Sequence, residues 1–457
     1  MADYLTAAEA ARRLGVKPAT LYAYVSRGVL SRVRAPDGRT SLFGAEEVEQ
    51  LARRGRPRRP AGVADITVES AITEITGDSL RFRGLDATRL AVSRTFEEVE
   101  RLARRGRPRR PAGVADITVE SAITEITGDS LRFRGLDVTR LAVSRTFEEV
   151  AELLWTGEFR SAREPWRARP AALAAGRGAQ AALPAGILPL ERLQVIVPAM
   201  AATDPLRLQL DRSAVIAAGR NIIAGMVDCL PGDVTSAAAE PVAGRLWSRL
   251  CAGNGPGRPV PGLMRALSAA LVLLADHELA ASTLAARAAA SVRADPYAVV
   301  GTGLGAMSGA LHSGASLGAE TLMAAASGPD DVPRVVAELL RRGEKVPGFG
   351  HFVYRGGDPR AILLLDLVRQ AAPKSGQLAV ADAVFAEVRQ KSLPEPNIDF
   401  AIATLVRVAG MVRGAGEAIF AVARTAGWIA HALEAYSGPG PLRPRAVYTG
   451  RPAADEP

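Results

Sequence analysis

Beyond Phe147, apolar residues return every three or four positions in this 457-residue chain. That is the period of helices with one buried face. The pattern predicts helices over 150–155, 191–200, 214–226, 262–275, 282–294, 333–341, 361–370, 381–388, 400–411 and 417–434. Gly/Pro clusters at 230–232, 253–261, 347–350 and 356–359 punctuate them. Just upstream, residues 122–126 and 130–133 flank Gly128-Asp129, which reads as a short β-hairpin. No run of alternating strands and helices appears, so a doubly wound parallel sheet is not expected. The fold class is mainly α. Abundant alanine, the best helix former, agrees with it.

The first fifty residues follow another pattern. Thr6 is placed to cap a helix over 7–14, Gly15-Val16 makes a turn, and Lys17-Pro18 opens a second helix through Tyr24. Residues 32–39 read as a hairpin through Asp37-Gly38, and 46–51 starts a third helix. Turn, hairpin and the Ala10-Ala11-Arg12-Arg13-Leu14-Gly15-Val16 and Leu21-Tyr22-Ala23-Tyr24-Val25 stretches resemble the winged helix-turn-helix of MerR-type and excisionase-like DNA-binding domains. A small helical interaction module is the alternative. Residues 1–60 hold 12 Lys/Arg against 6 Asp/Glu, a local +6 within a chain of net +9, which suits an anionic partner. In the resemblance, Lys17, Thr20 and Arg39 lie near the grooves of duplex DNA.

A near-identical duplication follows. Residues 46–99 recur as 97–150, with only Gln50/Arg101 and Ala87/Val138 differing. Two such copies do not make a solenoid, which needs three or more units. One copy is therefore surplus. The second runs straight into the helical pattern at Ala151, so the second is expected to join the main fold. The Arg53-Arg54-Gly55-Arg56-Pro57-Arg58-Arg59-Pro60 run, repeated at 104–111, reads as a basic, proline-stiffened linker, with an AT-hook as the alternative. The expected domains are 1–52, a linker with the first copy at 53–111, and 112–457, with a small subdomain at about 300–400.

Hydrophobic residues make up 48% and charged residues 23%, which excludes a mostly disordered chain. Cys229 and Cys251 give neither a disulfide framework nor a metal spacing. The N-terminus lacks an apolar signal core, and the longest apolar run, near 269–275, falls well short of the ~20 residues a span requires. The chain is expected in the cytoplasm, with no membrane partner and no metal.

The chemistry lies in four histidines, all between 277 and 431. Three sit in unusual contexts: Asp276-His277-Glu278, Leu311-His312-Ser313-Gly314-Ala315 and Val346-Pro347-Gly348-Phe349-Gly350-His351. Histidine titrates near neutral pH, so such a cluster suits proton handling. With Asp358-Pro359-Arg360, Pro396-Asn397-Ile398-Asp399-Phe400, Ala423-Arg424-Thr425-Ala426-Gly427-Trp428 and Arg443-Pro444-Arg445, these segments resemble citrate synthase over about 115–450.

The resemblance implies an all-α fold with large and small subdomains, and condensation of acetyl-CoA with oxaloacetate to citrate and CoA. No tightly bound cofactor is implied; acetyl-CoA is a co-substrate. Asp399 is the implied base, His312 the enol-stabilising donor, and His351 the group that polarises the ketone. His277, Arg360 and Arg424 are implied to hold oxaloacetate, with Arg443 supplied by the neighbouring subunit of a homodimer that shares its active site. Arg355, Gly348 and Gly350 fall in the implied CoA region, and Lys391 is a further phosphate contact. His431 is assigned to packing.

The sequence departs from the family pattern at Ala280, at Ser313-Gly314-Ala315-Ser316 and at Ala401, which opens the choice of substrate. Propionyl-CoA, giving 2-methylcitrate, is one alternative. A transcription regulator whose synthase-like domain senses a metabolite is another. A serine hydrolase built on Ser316, Asp399 and His431 needs a strand before Gly314, and the sequence there is Gly/Ala-rich.

Overall fold

A computed structural model describes residues 4–14, 30, 32–34, 41–45, 48, 67–70, 73–76, 79–82, 85–86, 119–160, 165–232, 240–251, 260–354, 356–438, 440–443 and 445–448. At 4, 32, 34, 67–86 and 445–448 only the backbone is described. The chain divides into two compact units, residues 1–63 and 64–457.

In the first unit, strand β1 (Tyr4–Thr6) leads into helix α1 (Ala7–Arg13). Thr6 caps α1 in a capping box: its hydroxyl accepts from Glu9 N–H while the Glu9 carboxylate accepts from Thr6 N–H at 2.9 Å. β2 (Arg32–Arg34) and β1 pair antiparallel on either side of β3 (Ser41–Gly44). Ala10, Ala11, Leu30, Phe43 and Val48 form its core. The expected helix 7–14 and the hairpin strands are therefore present. The expected helices at 17–24 and 46–51 fall largely outside the described residues.

Both repeats fold alike locally. β5 (Thr73–Thr76), β6 (Ser79–Phe82) and β7 (Leu85–Asp86) pair in the same register as β8 (Thr124–Thr127), β9 (Ser130–Phe133) and β10 (Leu136–Asp137). The second copy enters the core through Ile123, Leu131, Phe133 and Val138. The first adds β4 (Thr67–Ser70), which pairs in parallel with β11 (Arg445–Tyr448).

The remainder is helical: α2 (Val138–Ser144), α3 (Phe147–Thr156), α4 (Pro170–Ala181), α5 (Pro189–Ala201), α6 (Arg212–Cys229), α7 (Val242–Leu250) and α8 (Pro261–Leu274). α9 (Ala281–Ser291), α10 (Pro296–Met307), α11 (Gly314–Ala325) and α12 (Val332–Arg341) follow. The last are α13 (Pro359–Ala371), α14 (Gly376–Gln390), α15 (Ile398–Ala409) and α16 (Ala415–Ser437). All ten helices read from the periodicity are present. Among the described residues beyond Asp137, five others escaped it. α2 and α7 are short, and α4, α10 and α11 are rich in Gly and Ala, so their apolar stripes are faint.

The core is organised around α16, which packs against α3, α5, α6, α8, α9 and α10. It is buried on nearly every side, as its all-round apolar sequence requires. Gly427 lets this helix approach the end of α8: its N–H donates to Ala275 C=O at 2.9 Å, and a Cβ there would lie 2.3 Å from Asp276 Oδ1. α11 and α13 pack on α15, and α14 packs on α12 and α15. Among the described residues no helix is long and apolar enough to cross a membrane.

Candidate active site

Helix ends deliver the chemistry. His277 follows the C-terminus of α8, and His312 sits in the turn between α10 and α11, its N–H donating to Gly309 C=O at 2.9 Å. His351 lies in the loop before α13, and Asp399 lies in the first turn of α15. Asp399 is not that helix's N-cap. Asn397 is, and its side chain accepts from Asp399 N–H at 3.0 Å, freeing the aspartate for other work.

The loops carrying His351 and Asp399 are zipped together. Gly350 N–H donates to Glu395 C=O at 2.8 Å, Asn397 N–H to Gly348 C=O at 2.9 Å, and Asn397 Nδ2 to Gly350 C=O at 2.9 Å. Gly348 is required twice over. Its φ is +82°, and a Cβ would lie 2.9 Å from Phe400 N.

His277, His351 and Tyr354 form one aromatic cluster. The His277 and His351 ring centroids are 5.3 Å apart, and His351 and Tyr354 are 4.8 Å apart. His277 Nε2 lies 2.9 Å from Tyr354 Oη. His351 Nδ1 accepts from Val353 N–H at 3.1 Å, so the neutral ring carries its proton on Nε2. Ser282 Oγ, fully buried, is 2.9 Å from His312 Nε2. Arg360, 2% exposed, grips Asp358 through Nε and Nη2 at 2.9 and 2.8 Å, and Asp358 also accepts from Ile398 N–H at 3.0 Å. Arg424, 1% exposed, donates from Nε to Leu274 C=O at 2.8 Å.

Burial and the two arginines set the protonation states. Burial, with Arg360 and Arg424 adding to it, holds His277 well below the usual histidine range. Burial brings His312 and His351 to about 4, assisted by Arg424 and Arg360 respectively. All three are neutral at pH 7. Burial raises Asp399 to about 7, against Arg360 and Arg424, which favour its ionised form. Burial lowers Arg424 to about 10. Arg424 thus acts on His277, His312 and Asp399 alike, which ties the four elements into one site. Asp399 Oδ1 and Arg424 Nη1 are buried without a hydrogen-bond partner. Unpaired polar atoms of both signs in one buried place are costly, and an anionic substrate that also presents a donor would satisfy both.

The residues of this constellation fall within one sequence family. The family model for the citrate synthase C-terminal domain matches residues 112–445. The chain belongs to the citrate synthase family. It is a citrate synthase-type enzyme, with a helix-turn-helix domain matched at residues 4–56. The citrate synthase of Haloferax volcanii is 32% identical over 74% of this chain and 95% of its own length. The 2-methylcitrate synthase 2 of Corynebacterium glutamicum is 29% identical over 74% and 93%. The crystal structure of citrate synthase from Thermotoga maritima superposes with a TM-score of 0.59 and 26% identity, covering 73% of this chain and 93% of that one.

The other expected residues of this citrate synthase-family chain are placed as follows. Gly348 and Gly350 shape the loop before His351. Lys391 caps α14 and pairs with Glu387 at 3.1 Å. Arg443 is exposed, next to Leu442, whose N–H donates to Ser291 Oγ at 2.8 Å. Arg355, Lys17, Thr20 and Arg39 lie outside the described residues. His431 does more than pack. Its Nδ1 accepts from Arg287 Nη1 at 3.0 Å, which leaves the Nε2 proton for Asp276 at 3.4 Å. Asp276 also accepts from Thr124 Oγ1, so this network ties the second repeat to the helical core. The hydrolase constellation fails: Ser316 is fully buried on helix α11, and His431 faces Asp276 rather than Asp399.

Sequence reading missed Tyr354, Ser282 and Asp358 as site residues. Only Asp358 carried a signal, since an Asp two residues before an Arg at a Pro-started helix combines N-cap and ion pair. Among the described residues no group of three or more His, Cys, Asp or Glu is placed to hold a metal.

Proposed function

We propose that this citrate synthase-type enzyme condenses acetyl-CoA with oxaloacetate to give citrate and CoA through acid–base enolisation. The observation carrying the reading is the buried Asp399, whose Oδ1 has no partner, near the buried Arg360 and Arg424, which also act on three neutral histidines. Asp399, raised to about 7, is a stronger base than an ordinary carboxylate yet still ionised for a useful fraction at neutral pH. It takes the methyl proton. His312, held by Ser282 through Nε2, offers Nδ1 to the enol oxygen, a neutral donor where negative charge develops. His351 directs its Nε2 proton to the ketone, gives it to the new alkoxide and takes a proton back from the attacking water. Water then cleaves the thioester.

His277, Arg360 and Arg424 hold oxaloacetate, because a guanidinium fork fits a carboxylate. Arg443 enters from a second subunit, which makes the enzyme a homodimer with a shared active site. Arg355, Gly348, Gly350 and Lys391 serve CoA. No tightly bound cofactor takes part. Acetyl-CoA is the preferred acyl donor in this reading, with propionyl-CoA as the competing one. Supporting observations are the family match, the relatives on either side of that choice and the site's charge. The test is release of free CoA thiol by purified protein with oxaloacetate and each acyl-CoA in turn. Thiol with acetyl-CoA is expected, and none with any acyl-CoA would leave a metabolite-sensing regulator. The helix-turn-helix match and the local positive charge support a second property, binding of duplex DNA by the N-terminal unit with Lys17, Thr20 and Arg39 near the grooves.

A further inference from the structure

Helix α16 presents Glu417, Phe420 and Arg424 at i, i+3 and i+7, on one face. Arg424 belongs to the site. Its Cζ lies 4.7 Å from the Phe420 ring centroid, and that ring meets the His312 ring edge-on at 5.8 Å. One turn earlier, Glu417 Oε1 lies 3.3 Å from Ser313 Oγ, on the residue after His312. Ser313 is fully buried and Glu417 is 5% exposed.

The Ser313 hydroxyl has one proton and two candidate acceptors. Met307 C=O, at 2.7 Å, is the nearer. The same carbonyl receives Ser313 N–H at 3.2 Å, closing the turn that carries His312. With its proton committed there, Ser313 Oγ meets Glu417 as a lone pair. The contact is then a hydrogen bond only if the carboxyl supplies the proton. An ionised Glu417 would instead set a carboxylate against that lone pair, or draw the hydroxyl away from Met307.

We infer that Glu417, in its protonated form, is a positioning residue that holds the His312 turn through Ser313. The surroundings favour the proton. Glu320 on α11 faces it and is itself held by Gly414 N–H and Gly416 N–H at 2.8 and 3.1 Å. Glu191 on α5 and Asp399 on α15 add negative charge, and Arg413, just before α16, opposes them. Burial, with Glu320 and Glu191 added, raises Glu417 to about 7 against Arg413 and against any donation from Ser313 that draws its hydroxyl away from Met307.

The inference rests on the proposed synthase reaction for its catalytic readout. There the two raised carboxyls have opposite requirements. Asp399 must be ionised, so activity rises with pH; Glu417 must be protonated, so activity falls above its own titration, with a limiting slope of about tenfold per pH unit. The experiment compares wild type, E417Q and E417A as full-length protein from about pH 5.5 to about pH 9, reading kcat, KM for oxaloacetate and urea stability. The amide of E417Q donates to Ser313 Oγ at every pH. It is expected to lose the alkaline fall in kcat while keeping the acid-side rise, and E417A is expected to lower kcat about tenfold or more across the range with little change in KM. A raised carboxyl stabilises the fold below its unfolded value and loses that contribution as pH rises through the folded one. E417Q should therefore also lose less stability than wild type between the two ends of the range. An unchanged alkaline limb in E417Q, or the same pH dependence of stability in E417Q and wild type, overturns the assignment. Absence of thiol release by wild type strikes the synthase reading alone, and the stability comparison then decides the role of Glu417.

Discussion

Replacing Asp399 by Asn tests both the base and the physics that raises it. The carboxyl is raised from the ordinary aspartate value of 3.8 to about 7, chiefly by burial, and its Oδ1 has no partner. A group raised in the folded state stabilises the fold fully below its unfolded value. That contribution is lost as pH climbs through the folded value. Over that interval, at about 1.4 kcal/mol per pH unit, the ionised carboxylate costs the native state up to about 4 kcal/mol. Asn cannot ionise, so D399N escapes this loss. Its stability relative to wild type should improve by about 3 kcal/mol between pH 5 and pH 8. The difference between the two pH values isolates the charge, because the steric cost of the amide is the same at both. Urea unfolding of full-length wild type and D399N at equal protein concentration measures it, since any subunit association shifts apparent stability. Thiol release in the same preparations should fall by ~10²–10⁴-fold, the usual cost of losing a general base. A constant stability difference across this range would show that Asp399 is not held neutral by burial. Wild-type turnover in D399N would remove it from the chemistry.

Three further outcomes are expected. G348A, which needs a left-handed conformation and displaces the Phe400 backbone, should cost ~1–3 kcal/mol from strain alone and lower kcat by moving His351 and Asp399 together, read by urea unfolding and thiol release; wild-type values for both would refute the loop zipper. Deleting residues 46–96 should leave thiol release intact, because the junction restores Glu-Glu-Val at the position of Val48, and residues 118–121 repeat the Thr-Val-Glu-Ser of β4 for pairing with β11; loss of activity would show that both copies are built into the fold. The full-length protein should bind mixed-sequence duplex DNA with affinity falling linearly in log salt, a slope that becomes shallower in K17A or R39A; no retardation at low salt would point the N-terminal unit at a protein partner.

The sequence alone determined the helical class, the ten strongly periodic helices, the hairpin and the repeat. These are local: a 3.6-residue stripe or a Gly-Asp turn is written in neighbouring residues. It also singled out His277, His312, His351 and Asp399 as candidate site residues, through short motifs met in a fixed order. It was silent where the signal is not local. Helices α10 and α11, which frame the His312 turn, are so rich in small residues that no stripe marks them, and packing against α5, α9, α15 and α16 holds them. Ser282 and Tyr354 look ordinary in sequence and become partners of His312 and His277 only through the fold. Only the fold shows that Asn397 rather than Asp399 caps α15. The protonation states could not be read at all, because a pKa depends on burial and on charges brought from distant segments. Arg424 lies 112 residues from His312 in sequence, yet acts on its titration. Residue identity fixed which groups were available, and tertiary packing fixed their environment, because desolvation and charge act through space rather than along the chain.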